Sequence, residues 1–404
     1  MSSILLDFFP PYLDSTVPCT SPGIYDETAV IVDSLREKLK ERFGDVTSTP
    51  QQLAECVELL LELGEPPELL CQDFLNHSQL KLDEDLAALQ AQLEVRTTLS
   101  KAPSLSTSKG RESPFARESS VDDSTLEGDG GRRASTARTI DVLEFVDEGS
   151  NGFLSNICLV IASYNEMFLW NAKMSQVSEN LDSIALKKLV AFVHALMERY
   201  FSLVSARVSL ERETGENSIL VRALDRFHRR LQAMNKLLPD TDFSRAGIDI
   251  VSRAAKDRIA FYRDALRLHF MDCVTDVRQS LAAPKTMSPG SVETDGRNSP
   301  SLSVDGASLS KLQFHLLTSL TEQFKSVLGH LQTFTKEENT FALKSYFRAP
   351  FCSAVHQELL LGFLTTVFQI CADYCDGAAE KSSNFPPALL LILSRFTQVF
   401  SKVF

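Results

Sequence analysis

The stretch "NSILVRALDRFHRRLQAMNKLL", Asn217 to Leu238, decides the fold class. Its large apolar residues Leu220, Leu224, Phe227, Leu231, Met234 and Leu238 recur at alternating spacings of four and three, which puts them on one stripe of a helix. Burying each of these side chains contributes roughly 1.5 to 3 kcal/mol, so the stripe fixes where the helix lies. Arg222, Arg226, Arg229 and Arg230 fall off that stripe with Asp225 beside them. Two readings of the arginines follow. They form either a basic stripe for anionic lipid headgroups or a solvated face paired with acidic neighbours. Between Arg207 and Arg278 there are fourteen Lys/Arg and eleven Asp/Glu, leaving only +3, and mixed charge of that kind favours the solvated face.

The same periodicity runs outward in both directions. In "TPQQLAECVELLLELG", Thr49 and Gln52 form a capping box, Pro50 takes the first helical position and Gly64 follows the last turn. The segment "EPPELLCQDFL" opens the next helix, whose Leu82, Leu86, Leu89 and Leu93 make a seam for a partner helix. Between Asn151 and Ala282 the pattern predicts helices at about 151–170, 181–212, 217–238 and 243–282. In the last of these Ile259, Tyr262, Leu266, His269 or Phe270, and Cys273 or Val277 recur at three and four, while Arg253, Arg263, Arg267, Asp264 and Asp272 fall mostly elsewhere. Further helices are expected at about 309–334, 352–375 and 386–403. Sustained β-branched alternation is absent, and Asn-Gly or Asp-Gly pairs are read as loops. The expectation is an all-α chain of elongated, stacked helical bundles.

Two segments break the pattern. Thr97–Thr139, "TTLSKAPSLSTSKGRESPFARESSVDDSTLEGDGGRRASTART", and Pro284–Ser308, "PKTMSPGSVETDGRNSPSLSVDGAS", are rich in Ser, Gly and charge and poor in large aliphatics. They bury too little surface to offset chain entropy and read as disordered linkers. The organisation is therefore 1–25 unplaced, 26–96 a helical hairpin or bundle, 97–140 a linker, 141–283 a bundle, 284–308 a linker and 309–404 a bundle. "RRAS", ending at Ser135, and the Ser288-Pro289 and Ser299-Pro300 pairs suit basophilic and proline-directed kinases.

Composition excludes several functions. The 404 residues are 44% hydrophobic and 23% charged with a net charge of −12, which argues against a nucleic-acid partner, since phosphates demand clustered positive charge. Residues 1 to 95 alone carry eighteen Asp/Glu against five Lys/Arg. Eight cysteines without framework spacing read as reduced thiols of a cytosolic protein. Cys371 and Cys375 stand four apart without a nearby His or carboxylate cluster and read as small buried residues rather than metal ligands. The N-terminus lacks a signal-peptide pattern. "GFLSNICLVIASYNEMFLW" is broken by Asn and Glu and "PPALLLILSRF" is too short for the roughly 20 apolar residues of a bilayer span, so no transmembrane segment is expected.

No Gly-rich phosphate loop, nucleophile elbow or His-Glu-x-x-His occurs. His77, His194, His228, His269, His315, His330 and His356 are scattered singly on helices, and His315 and His330 lie too far apart on one helix to share a metal. Asp83 and Asp85 read as solvated helical surface, and Trp170 as a packing residue beside Phe168 and Leu169. No catalytic, cofactor-binding or metal-ligating residue is assigned, and the chain reads as non-enzymatic.

A family resemblance adds to this reading. "NSILVRALDRFHRRL", "DVLEFVDEGSNGF" at Asp141–Phe153, "CVTDVRQSLAAPK" at Cys273–Lys285, "YFRAPFC" at Tyr346–Cys352, "PPALLLILSRF" at Pro386–Phe396 and the earlier "AECVELLLELGEPPELLCQDFL" together resemble the vacuolar protein sorting-associated protein 51 (fat-free) family over about residues 28 to 396. The resemblance implies a helical-rod subunit of the Golgi-associated retrograde protein (GARP) and endosome-associated recycling protein (EARP) tethers. The implied work is capturing endosome-derived vesicles at the trans-Golgi network and supporting recycling. Sister tether subunits are the implied partners, with syntaxin-type SNAREs as clients and membrane association only through the complex. It also implies residence at the cytoplasmic face of the trans-Golgi network and recycling endosomes, and no catalytic residues or cofactors. Family members begin with a SNARE-binding segment and a coiled-coil region and continue through a long C-terminal helical region. Here "MSSILLDFFPPYLDSTVPCTSPG" stands first and "TQVFSKVF" last, so the chain reads as a fragment, splice variant or incomplete gene model.

Overall fold

Pro50 opens a helix that runs to Glu62, and Gly64 just beyond it adopts φ +80°, a left-handed conformation that a side chain disfavours. The Glu65 N–H donates to the Leu60 carbonyl and the Gly64 N–H to the Leu61 carbonyl, both at 3.0 Å, closing the helix with a glycine cap that satisfies its last carbonyls. Pro66 and Pro67 cannot continue it, and Pro67 opens the next helix. The sequence signals for this helix end are thus realised atom by atom.

A computed structural model of the chain describes residues 22–45, 48, 50–101, 141–170, 181–212, 217–239, 241–282, 306–380 and 387–403. Every element among them is helical: α1 Pro22–Phe43, α2 Pro50–Glu62, α3 Pro67–Lys101, α4 Val142–Gly149, α5 Ser155–Tyr164, α6 Leu181–Ser209, α7 Asn217–Met234, α8 Phe243–Ala282, α9 Gly306–Gln332, α10 Ser345–Ala354, α11 Gly362–Glu380 and α12 Pro387–Val403. No strand occurs among the described residues. The all-α expectation is met. Ser135, Ser288, Pro289, Ser299 and Pro300 lie outside the described residues.

Several helix bounds differ from the sequence reading. The helix expected from 151 begins at Val142, where the Asp141 carboxylate accepts the Glu144 N–H at 2.7 Å as an N-cap. The Asn151-Gly152 pair, read as a loop signal, lies within a wide π turn at Ser150–Leu154 that joins α4 to α5. Its turn preference is overridden by apolar side chains on either side, Phe145, Val146, Phe153, Leu154 and Ile157, all buried. The helix expected from 352 begins at Ser345 despite Pro350. There Phe347 and Phe351 stack at 5.5 Å and Phe341 meets Phe347 at 5.1 Å, so aromatic burial offsets the hydrogen bond that proline removes. Helix α3 continues to Lys101, into the segment read as a linker from 97.

The chain divides into two compact units. The first takes in residues 1–81 and 159–189. In it α1 packs on α2, and Glu65 receives Arg36 at 3.0 Å and Lys40 at 2.9 Å. Phe74 sits 6.0 Å from the rings of both Tyr164 and Phe168, and the Tyr164 hydroxyl donates to the Ala185 carbonyl at 3.0 Å.

The second unit takes in residues 82–158 and 190–404. Helix α8, 40 residues and about 60 Å long, is its spine. Helices α7, α9, α10, α11 and α12 all pack along it, and α4 packs on α7. Phe270 stacks on Phe396 at 5.6 Å, and Phe324 approaches Phe363 at 6.1 Å. Where α7 crosses α8, Gly247 leaves no room for a side chain: a Cβ there would lie 2.3 Å from Leu231 Cδ1.

Three helical runs, Val142–Leu169, Asp182–Ser209 and Ser345–Tyr374, each contain a stretch long and apolar enough to cross a membrane, by length and composition only. This corrects the expectation that no run would qualify on length and composition. Asn and Glu interrupt the first run without lowering its average enough. Each run lays one face of its apolar side chains into the cores described above.

Candidate functional site

Within α7 the stripe read from the sequence is the core: Leu220, Leu224, Phe227, Leu231 and Met234, and Leu238 beyond the helix end, are all buried. Val221, Ala223, Asp225 and His228 are buried too, so the helix is enclosed over more than half its circumference. The two polar members of that set build a clamp. Asp225 Oδ1 accepts from the Thr340 N–H at 2.7 Å and from the Thr340 hydroxyl at 2.9 Å, while Asp225 Oδ2 accepts from Arg229 Nε at 2.6 Å. Arg229 Nη2 reaches on to the Glu338 carbonyl at 2.8 Å. At the start of α7, Asn217 Nδ2 donates to the His330 carbonyl at 2.6 Å and to Thr333 Oγ1 at 2.8 Å. The turn after α9, residues 333–344, is thereby tied to α7 by hydrogen bonds that are mostly half-buried.

The clamp also fixes the tautomer of His228, whose Nδ1 lies 2.8 Å from Thr340 Oγ1. Because the threonine proton is committed to Asp225, the imidazole must donate from Nδ1, which leaves Nε2 an unprotonated acceptor. Nε2 is buried without a hydrogen-bond partner. Burial, aided by the Lys344 charge, pushes the His228 pKa down to about 4 against the opposing pull of Asp225 and Asp242. A neutral ring with one nitrogen engaged and the other sealed from solvent has no route to a substrate proton.

A second polar grouping sits between α8 and α9. His269 Nε2 lies 3.1 Å from Ser319 Oγ and 3.5 Å from Cys273 Sγ. The spacing resembles a nucleophile and its base, but the electrostatics run the wrong way. Burial raises the Cys273 thiol, with Asp276 and Asp272 pushing the same way, and burial lowers His269. The pair is a thiol beside a neutral imidazole rather than a thiolate beside an imidazolium. Burial likewise raises Cys56, Cys71 and Cys158. Cys371 is buried and the side chain of Cys375 lies outside the described set. Among the described residues no three His, Cys, Asp or Glu side chains come together at metal-binding range.

The remaining histidines are dispersed. His77 packs at 6.4 Å from Phe43, His194 at 5.0 Å from Phe243 and His330 at 5.7 Å from Tyr262, while His315 and His356 are exposed. Two readings need correction. Asp83 and Asp85 are half-buried and engaged, Asp83 by Arg199 and Asp85 by Asn156 Nδ2 at 2.6 Å. They face neighbouring helices because they flank the Leu82 and Leu86 seam. Trp170 is 71% exposed, since the π turn at Asn165–Leu169 rotates it away from the core that receives Met167 and Phe168.

All four arginines of the α7 stripe are exposed. Arg226 pairs with Asp147 of α4 and Arg229 with Asp225, so half of the stripe carries acidic partners. The Arg226–Asp147 pair is open to solvent and contributes little stability, whereas Arg229 meets the buried Asp225; both guanidiniums stay exposed.

The hydrogen bonds of Asp225 and Asn217 and the raised, buried thiols of Cys56, Cys71 and Cys273 serve helix packing at these positions. No family model matches the chain. No solved structure matches it. Curated relatives do: vacuolar protein sorting-associated protein 51 homologs from Danio rerio, 43% identical over 383 residues, from Homo sapiens, 36% over 374, and from Drosophila melanogaster, 29% over 377. Each match takes in 92% of the chain and 45%, 40% and 42% of the respective relative, so the chain spans less than half their length. At 36% to 43% identity over 92% of its own length, the chain belongs to the family of vacuolar protein sorting-associated protein 51 homologs.

Proposed function

We propose that this chain is a non-enzymatic helical subunit of the GARP and EARP tethers, which hold endosome-derived vesicles at the trans-Golgi network for retrograde transport and support endocytic recycling. Its partners are the sister tether subunits, with syntaxin-type SNAREs as clients, and it reaches the membrane peripherally, through the complex, at the cytoplasmic face of the trans-Golgi network and recycling endosomes. The observation that carries the reading is family membership at 36–43% identity, through an all-helical chain whose polar clusters serve packing. A tether transmits force and position between bound partners. It needs long helices fixed against one another, and the α7 clamp and the α8 spine supply them.

The test is affinity capture of the tagged chain from cells, with sister tether subunits and a syntaxin-type SNARE as readouts. Recovery of the sister subunits in comparable amounts is expected. Recovery of neither, from a soluble and folded chain, would falsify the proposal.

A further inference from the structure

The described residues hold an uneven distribution of exposed apolar side chains, and more than half of the large ones lie in the first compact unit, the smaller of the two. Part of that surface is ordered into helix faces. On α2 the outer face consists of Glu55, Glu58, Leu59 and Glu62, opposite the buried Leu53, Cys56, Val57 and Leu60. On the first turns of α3 the outer face runs from Leu69, 57% exposed, through Asp73 and Asn76 to Leu80, 58% exposed. Leu69 and Leu80, eleven positions apart on this polar face, do not stabilise the unit that carries them, because most of their surface remains in water.

The charge around them selects the partner. From Thr49 to Leu80 the sequence holds six Asp/Glu and no Lys or Arg. Glu65 is committed internally to Arg36 and Lys40, while Glu55, Glu58 and Asp73 are exposed. A second copy of this chain offering the same patch in a two-fold contact would set carboxylates against carboxylates. We propose that the outer faces of α2 and α3 dock an amphipathic helix of another tether subunit, one that presents leucine-type side chains to Leu59, Leu69 and Leu80 and flanks them with Lys or Arg. This rests on the tether reading and specifies which surface serves it and what chemistry the partner brings.

The experiment is zero-length carbodiimide cross-linking, which joins carboxylates to amines, of this chain co-expressed with the other tether subunits. Amide links from Glu55, Glu58 or Asp73 to lysines of a sister subunit are expected. Leu69→Lys with Leu80→Lys, and separately Glu55→Lys with Glu58→Lys, should weaken co-purification about tenfold or more with an unchanged thermal midpoint. Links from these residues only to a second copy of the chain overturn the choice of partner. Unaltered recovery of both variants, with no such links in an assembled wild-type complex, overturns the docking surface while leaving the tether reading standing. A wild-type chain that recovers no sister subunit overturns both. The cross-links are read on the wild-type protein, so the result does not depend on the variants folding.

Discussion

Replacing Gly247 with alanine adds one methyl group at the point where α8 passes closest to α7. The new Cβ would stand 2.3 Å from Leu231 Cδ1 and 3.4 Å from Phe227 Cε1, and both side chains are fully buried. Leu231 must leave its rotamer or the helices must part, and overpacking of this kind costs about 1 to 3 kcal/mol. Against that, alanine is favoured over glycine within a helix by about 0.8 to 1 kcal/mol. The net expectation is a loss of about 0 to 2 kcal/mol. Gly329 supplies the control: it is also inside a helix, exposed, and has nothing within 4 Å of where its Cβ would lie. There Gly329→Ala should stabilise by about 0.5 to 1 kcal/mol through backbone entropy. Urea unfolding followed by far-UV circular dichroism, with native-state hydrogen exchange to locate the change on α7 and α8, measures both. Trp170 fluorescence would be the wrong probe, because that residue lies in the other unit. In a Leu231→Ala background the penalty should vanish or reverse, giving a coupling of about 1 to 3 kcal/mol. If Gly247→Ala raises stability as Gly329→Ala does, the α7–α8 crossing is not as close as described and the packing argument fails.

Three further outcomes follow from the same geometry. Gly64→Ala should cost about 1 kcal/mol through φ alone, since no atom lies within 4 Å of the position, and Gly64→Asn should cost less; thermal melts of the two variants compare them. The His228 pKa is depressed in the folded state, so its contribution is whole above the ordinary value of 6.5 and is lost as pH falls toward about 4, by up to about 3 kcal/mol. Urea midpoints taken between pH 7.5 and 4.5 should fall less steeply for His228→Leu than for the wild type, and parallel slopes would refute the assignment. Changing Arg222, Arg226, Arg229 and Arg230 together to glutamine should leave co-sedimentation with anionic liposomes unaltered, because this face is hydrated and partly paired; a marked loss would favour direct lipid contact.

The parts of the fold legible in sequence were those governed by local periodicity and end signals. Leu220 to Leu238, the Leu82 seam and the Ile259 to Val277 face are read from spacing, and the α2 end from Gly64 and the two prolines, because each depends only on residues within a few turns. The clamp was not legible. Asp225 and His228 look like members of a charged face until Thr340, 115 residues away from Asp225, arrives to receive and return their hydrogen bonds. Likewise Asn151-Gly152 carries a strong turn preference that gives way to a π turn only once Phe153 and Tyr200 meet at 5.0 Å. The exposure of Trp170 escapes a periodicity argument for the same reason, since the π turn before it shifts the register by which its neighbours are buried. Arg258, buried to 1% with its guanidinium 5.9 Å over the Phe261 ring, breaks the rule that arginines mark the solvent side.

Among the described residues, the apolar faces of these helices close on one another and shelter no activated nucleophile. Alkylation of the native chain with iodoacetamide, mapped by mass spectrometry, tests this most directly. Cys352 is exposed and should label quickly, whereas Cys56, Cys71 and Cys273 are buried with raised thiols and should label only as fast as the units unfold. Rapid labelling of Cys273 in the native state would reveal a thiolate beside His269 in an open cavity, and would contradict the account.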